Sequence, residues 1–321
     1  MIRSRIHAAA FVTVVLLSFG CAKKEPAAAV EKAAPPAAPA AAQKAAPEKP
    51  PPPYTYPAPV KGHYREVNVG SFDLVDGIAY TASNGAGTVV YVTDKLIASP
   101  VLAESPCPMT QARAVSILRS ADYAEVTLDA AGRSKYFAAG KMFGGSSRED
   151  EVGGHYWTSS LKPGDAGRAV GGVQHKNHGG FTFDLPLLHP QVREVSEGDR
   201  SKGRRSDESA PKPTEQGLKS AYQSVRDAVV KKDLKSVLAA LGFNDKQSAA
   251  IRGLDGIDAD FAVYSDRFLE PGTVSDFTAK PGTGYVRSEG VNSKGKKFAN
   301  YYWFTPCGDR LVLVQIAENP Q

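Results

Sequence analysis

The stretch from Ala22 to about Pro59 is built almost wholly from Ala, Pro, Lys and Glu, with Pro50-Pro51-Pro52-Pro53 near its end. It has too little apolar bulk to offset the entropy lost on ordering a chain, so it is not expected to fold by itself. Its prolines keep it stiff, at about 3.1 Å per residue where polyproline II forms. A core must therefore come from the residues beyond Pro59, and the residues before Ala22 must act alone.

Those first residues have the parts of a leader. Arg3 and Arg5 form a short positive region, Ala8 to Phe19 is uncharged and mostly apolar, and Lys23, Lys24 and Glu25 close the run just after Gly20-Cys21. A spanning helix needs about 20 apolar residues; this run is shorter and has the length of a signal-peptide core. Leu17-Ser18-Phe19-Gly20-Cys21 resembles the lipobox of bacterial lipoproteins, with the leucine one place further from the cysteine than is usual and Phe19 at a position usually small. The resemblance implies removal of residues 1–20 as a signal peptide and acylation of Cys21 with palmitate-type chains on its sulfur and new amino group. Each buried methylene contributes about 0.8 kcal/mol, and stable anchoring takes two chains or more. Residues 21–60 become a lipidated, disordered tether. Ala22 stands where lipoproteins kept at the inner membrane often have aspartate, so the expected location is the outer membrane, facing the periplasm. An ordinary signal peptide with an incidental Cys21, or an uncleaved anchor, are the alternatives.

The net charge of +5 does not describe the folded part. Arg3 and Arg5 belong to the leader, and the excess of lysine over glutamate between Ala22 and Gly62 supplies the rest. A neutral remainder lacks the clustered Lys and Arg that nucleic acid demands, so nucleic acid is not an expected partner. The tether lysines could at most touch anionic head groups. With Cys21 set aside, only Cys107 and Cys307 remain. In an oxidising compartment such a pair reads as a disulfide or as two separate thiols, and spacing does not choose between them.

A polar break over 196–213 marks a linker between two segments. The first, 61–195, is expected to be all-β. Gly77 to Ser83 and Thr88 to Thr93 flank the turn residues Asn84-Gly85-Ala86-Gly87 as a hairpin, and further short β-rich runs lie at Tyr123–Leu128, His155–Ser159, Ala169–Gln174 and Phe181–Leu185. Thr110–Ser120 alone reads as helical, either as a helix or as a helical turn beside a strand. Several short strands suggest a sandwich, with an immunoglobulin-like arrangement as the expectation. The second segment, 214–321, opens with helices. Leu218, Ala221, Tyr222, Val225, Ala228 and Val229 share one helical face, opened by Thr214 or Glu215 after Pro213. A second helix comes after Asp233 and ends at Gly242, and a third is capped by Asp245 and stops at Gly253. Strand-like runs then lie at Phe261–Tyr264, Gly284–Ser288, Phe298–Thr305 and Leu311–Ile316, the last two turning at Cys307-Gly308-Asp309. This order, helices and then a meander, resembles the NTF2-like fold, which implies a curved sheet around the long helix and a cone-shaped pocket. The fold class is therefore α+β.

No chemistry-bearing motif is complete. His175 and His178 flank Lys176-Asn177 near His155 and His189, but odd spacing sends strand side chains to opposite faces, and no H-E-x-x-H pattern accompanies them. Ser159-Ser160-Leu161-Lys162 and Ser293-Lys294-Gly295-Lys296 fit S-x-x-K without its companion motifs. Asp255, Asp258 and Asp260 lack the loop of a calcium site and read as a connection from helix to sheet. Cofactors and metals are not expected. Tyr301, Tyr302 and Trp303, in a run closed by Phe304, must alternate between two sheet faces and are the candidate binding face. The chain reads as a non-enzymatic membrane-anchored lipoprotein with a binding or scaffolding role toward a protein or small molecule. The alternative is an envelope hydrolase with a pocket in the second segment, where Tyr264, Asp266 or Asp276 would supply a polar group.

Overall fold

The computed structural model describes residues 50–82, 87–142, 146–150, 157–163, 167–189, 210–268, 272–291 and 294–319. The leader, Cys21, nearly all of the tether, the turn residues 84–86, His155, Ser293 and most of the linker lie outside the described residues. Residues Lys49–Gln321 form one compact unit of α+β architecture.

The first ten strands make a single mixed sheet. One wing runs β2 (Gly70–Leu74), β1 (Val60–Glu66), β10 (Gly179–Leu188), β9 (Arg168–His175), β8 (Trp157–Pro163). The other runs β3 (Asp76–Thr81), β4 (Gly87–Thr93), β5 (Tyr123–Asp129), β6 (Ser134–Gly140), β7 (Ser146–Asp150). The wings join where the end of β10 runs parallel to β3, pairing Leu187 with Ala79. The sheet curls so that Val60, Tyr64, Phe72, Phe181 and Phe183 of one wing and Val90, Val92, Val126, Leu128 and Phe137 of the other bury one shared core. On β4 the intervening Val89 and Tyr91 are also buried, against the helices. A strand covered on both faces reads as an unbroken apolar run, which explains Thr88-Val89-Val90-Tyr91-Val92.

The helical layer begins with the short α1 (Ser99–Leu102) and with α2 (Pro108–Leu118), continues with α3 (Glu215–Val230), α4 (Leu234–Ala240) and α5 (Asp245–Arg252), and ends with α6 (Ile257–Phe268). Thr214 accepts from Gly217 N–H and Asp233 from Ser236 N–H, as N-caps should. The third cap is Asn244 rather than Asp245, with Gln247 closing a reciprocal capping box. Phe261–Tyr264 is helical, not a strand: Ile257, Phe261, Tyr264 and Phe268 are all buried at helical spacing.

The chain closes with an antiparallel meander, β11 (Thr273–Lys280), β12 (Thr283–Val291), β13 (Lys297–Cys307), β14 (Arg310–Asn319). The final turn uses Gly308 at φ 62°, where side chains are disfavoured. The two segments on either side of the linker share one core: Ile78, Tyr91, Leu102 and Val115 pack in the same cluster as Leu218, Val237, Tyr264, Phe304 and Leu313.

Polar contacts join the segments as well. Asp260 on α6 takes both Lys95 Nζ and Arg119 Nε, the latter at 3.3 Å, while Arg119 also donates to Asp255 O at 2.9 Å. Gln247 Nε2 donates to Gln111 Oε1 at 3.0 Å. Pro50–Pro59, the end of the Ala/Pro stretch, belongs to this body, because Tyr54 and Tyr56 add apolar surface that alanine lacks. Tyr54 N–H donates to Gly253 O at 2.8 Å, and a Cβ at Gly253 would stand 2.6 Å from Pro52 O, so only glycine permits that approach.

Candidate functional site

Cys107 and Cys307 form a disulfide with Cα atoms 5.9 Å apart, Cys107 capping α2 and Cys307 ending β13. It ties the helix that packs on β3 to the second sheet.

The aromatic run on β13 divides by alternation. Tyr302 points inward and is buried, so it does not belong to a surface site and leaves the expected binding face. Tyr301 and Trp303 point the other way and are half-buried. Tyr285, paired with Trp303 on β12, completes that face: its ring lies 4.8 Å from Trp303 and 5.3 Å from Tyr301. Arg287 stands 5.7 Å above the Tyr301 ring and pairs with Glu289, and Asp276 accepts from Thr278 Oγ1 at 3.1 Å. The result is a ring cluster edged by one cation and two carboxylates. Such a face suits a ligand with apolar patches and scattered polar groups.

The concave side is filled. Tyr302 lies 4.7 Å from Phe268 and 5.1 Å from Tyr222, and Tyr264 lies 5.4 Å from Phe268. Burial pushes the Tyr264 hydroxyl well above its ordinary pKa, and neither that hydroxyl nor Asn300 Oδ1 has a hydrogen-bond partner among the described residues. The three polar groups considered for an enzyme do not converge: Tyr264 is in the core, Asp266 is exposed on α6, and Asp276 is on the outer face of the sheet.

His175 and His178 are brought together by a turn rather than parted by a strand, with rings stacked at 4.2 Å. His175 Nδ1 accepts from the N–H groups of Asn177 and His178, each at 3.1 Å, and His178 Nδ1 meets Arg65 O. Both Nδ1 atoms are engaged by backbone groups of the turn and of β1. Among the described residues no group of three or more His, Cys, Asp or Glu side chains is placed to hold a metal ion. Ser159 Oγ donates to Gly132 O at 2.5 Å, and Asp260 is taken up by its ion pairs with Lys95 and Arg119.

Two acidic sites had no sign in the sequence. One is Asp76, fully buried at the start of β3. At the other, Asp122 N–H donates to Asp94 Oδ1 at 2.8 Å and Asp94 N–H donates to Asp122 O at 3.0 Å, which brings two carboxyls together. Burial, and then the neighbouring Asp122, push Asp94 from 3.8 up to about 6. The native state thus holds a proton that the unfolded chain has lost in that interval. This contribution to stability is fully present below pH 3.8 and is lost as pH rises through about 6. The stability difference between the native chain and Asp94→Asn is expected to shift against the native chain across that window. Urea midpoints at pH 4, 5, 6 and 7 check it; a constant difference would remove the assignment.

No family model, no curated protein and no solved structure matches the chain. No helix among the described residues is long and apolar enough to cross a membrane.

Proposed function

We propose that the chain is an envelope lipoprotein, held at the outer membrane by acyl chains on Cys21 and spaced from it by the Ala/Pro stretch. Its second sheet serves a binding or scaffolding role toward a protein or small molecule. The observation that carries the compartment is the Cys107–Cys307 disulfide, because paired cysteines persist in oxidising compartments and are rare in the cytosol. The binding role is supported by the Tyr285, Tyr301 and Trp303 cluster. The finer fold is part of the same proposal. Two wings facing each other across a core support a sandwich, while the parallel β10–β3 pair and the joining of all ten strands in one sheet weigh against an immunoglobulin arrangement. Helices succeeded by a meander support an NTF2-like second half, one whose cone is filled by rings.

The anchor is tested by producing the full chain in a Gram-negative host fed an alkyne-bearing palmitate analogue. A labelled product, lacking residues 1–20 by intact mass and losing its label in Cys21→Ala, is the expected result; an unlabelled product refutes the anchor. With Trp157 replaced by Phe, Trp303 is the sole tryptophan. Its emission is expected to shift with one of the envelope fractions, and a flat response to all of them would remove the face.

A further inference from the structure

The outer face of the first sheet carries a hydrogen-bonded row unrelated to the second sheet. His63 on β1 and Asp73 on β2 are direct cross-strand partners, and Ser71 stands two residues before Asp73. Residues i and i+2 of a strand share a face, so the hairpin register itself aligns hydroxyl, imidazole and carboxylate. Asp73 Oδ1 lies 2.8 Å from His63 Nδ1, and Ser71 Oγ lies 2.9 Å from His63 Nε2. An ionised carboxylate only accepts, so Asp73 draws the ring proton to Nδ1 and leaves Nε2 to accept from Ser71. That is the order of nucleophile, base and orienting group in acyl transfer.

The surroundings leave the row accessible. The residue opposite His63 on β10 is Gly180, which places no side chain beside the ring, and the Gln174 amide oxygen lies over it, 2.4 Å from where a Cβ would be. Lys61, exposed and two residues before His63, shares the face. The side chains of His63 and Asp73 are 46% and 83% exposed.

We propose that Ser71, His63 and Asp73 form a solvent-facing acyl-transfer site for carboxylic esters presented by an extended or surface-held molecule. This activity stands apart from the binding role of the second sheet. Ser71 Oγ attacks the ester carbonyl carbon while its proton passes to His63 Nε2. The tetrahedral adduct collapses, the bond to the alcohol oxygen breaks, and the alcohol leaves with that proton. Water then attacks the acyl-serine, gives a proton to His63, and releases the carboxylic acid as Ser71 regains its hydrogen. Arg65, the direct cross-strand partner of Ser71 and exposed on the same face, is the cationic group nearest in register to the oxyanion. Because water reaches the row, the gain rests on general-base assistance, about 10²–10⁴-fold.

The full chain treated with a fluorophosphonate probe and mapped by mass spectrometry tests this, alongside release of 4-nitrophenol from its acetate. Ser71 is expected to react at least about ten-fold faster than Ser160, an exposed hydroxyl on β8. Ser71→Ala should cut acetate release by a similar factor, and His63→Gln and Asp73→Asn should each slow labelling of Ser71 with circular dichroism unchanged. Labelling of Ser71 no faster than Ser160, or unaltered in a folded His63→Gln protein, overturns the proposal.

Discussion

Cutting the Cys107–Cys307 disulfide, by reduction or by Cys107→Ala with Cys307→Ala, is expected to lower the unfolding free energy by about 2–5 kcal/mol. The two cysteines are 200 positions apart, so the bridge closes a very long loop in the unfolded ensemble and lowers its entropy. In the folded state it joins the start of α2 to the end of β13. The helix and sheet also share apolar packing, with Met109, Val115, Val312 and Leu313 in one buried cluster. The reduced protein should therefore keep its secondary structure and lose cooperativity margin, not shape. Urea unfolding with and without a phosphine reductant measures the difference; coincident midpoints would show that packing alone holds the two together.

An effect of similar size is expected at Asp76, which is fully buried. Its carboxylate accepts from four donors: Gly77 N–H and Ser99 Oγ on one oxygen, Ile97 N–H and the Tyr56 hydroxyl on the other. The same tyrosine oxygen accepts from the N–H groups of Ala98 and Ser99, at 2.7 and 3.3 Å. Burial raises the Asp76 pKa, and the donors, Ser99 first, oppose the rise. Asp76→Ala strands all four donors in the interior, at about 3–5 kcal/mol by analogy with breaking a buried charged network. Tyr56→Phe loses one donor and one acceptor and should cost about 1–3 kcal/mol. Thermal unfolding checks both, and protease cutting near residues 50–59 should rise first. A change below about 1 kcal/mol in Asp76→Ala would mean that water replaces the carboxylate.

The sequence showed what local pattern can show. The apolar faces of α3 and α4 and the Asp233 cap were readable because spacing and capping chemistry lie within a few residues, and β12 to β14 because their β-rich runs are bounded by turns. Strand β11 was missed since none of its residues is buried, and Phe261–Tyr264 was misassigned because four apolar or aromatic residues do not reveal their period. The common core was hidden for a different reason. A pattern shows that a face is apolar but not which distant face covers it, so the meeting of Tyr91 and Val115 with Leu218 and Leu313 had no local sign. The candidate site behaved likewise. Alternation on β13 foretold that the aromatic run would divide, but Tyr285 joined Tyr301 and Trp303 only through strand pairing. Ser71, His63 and Asp73 needed the register of β1 and β2 before they formed a row.

The seating of Tyr54 against Gly253 and of Tyr56 against Asp76 sets how a pull on the leading end is borne. Tension arriving from ahead of Pro50 meets α5 and the β3 hub before it reaches Val60, where β1 begins. The outermost hairpin is thereby shielded from being peeled away one rung at a time, and the load falls on a polar knot inside the body, which yields in a single step.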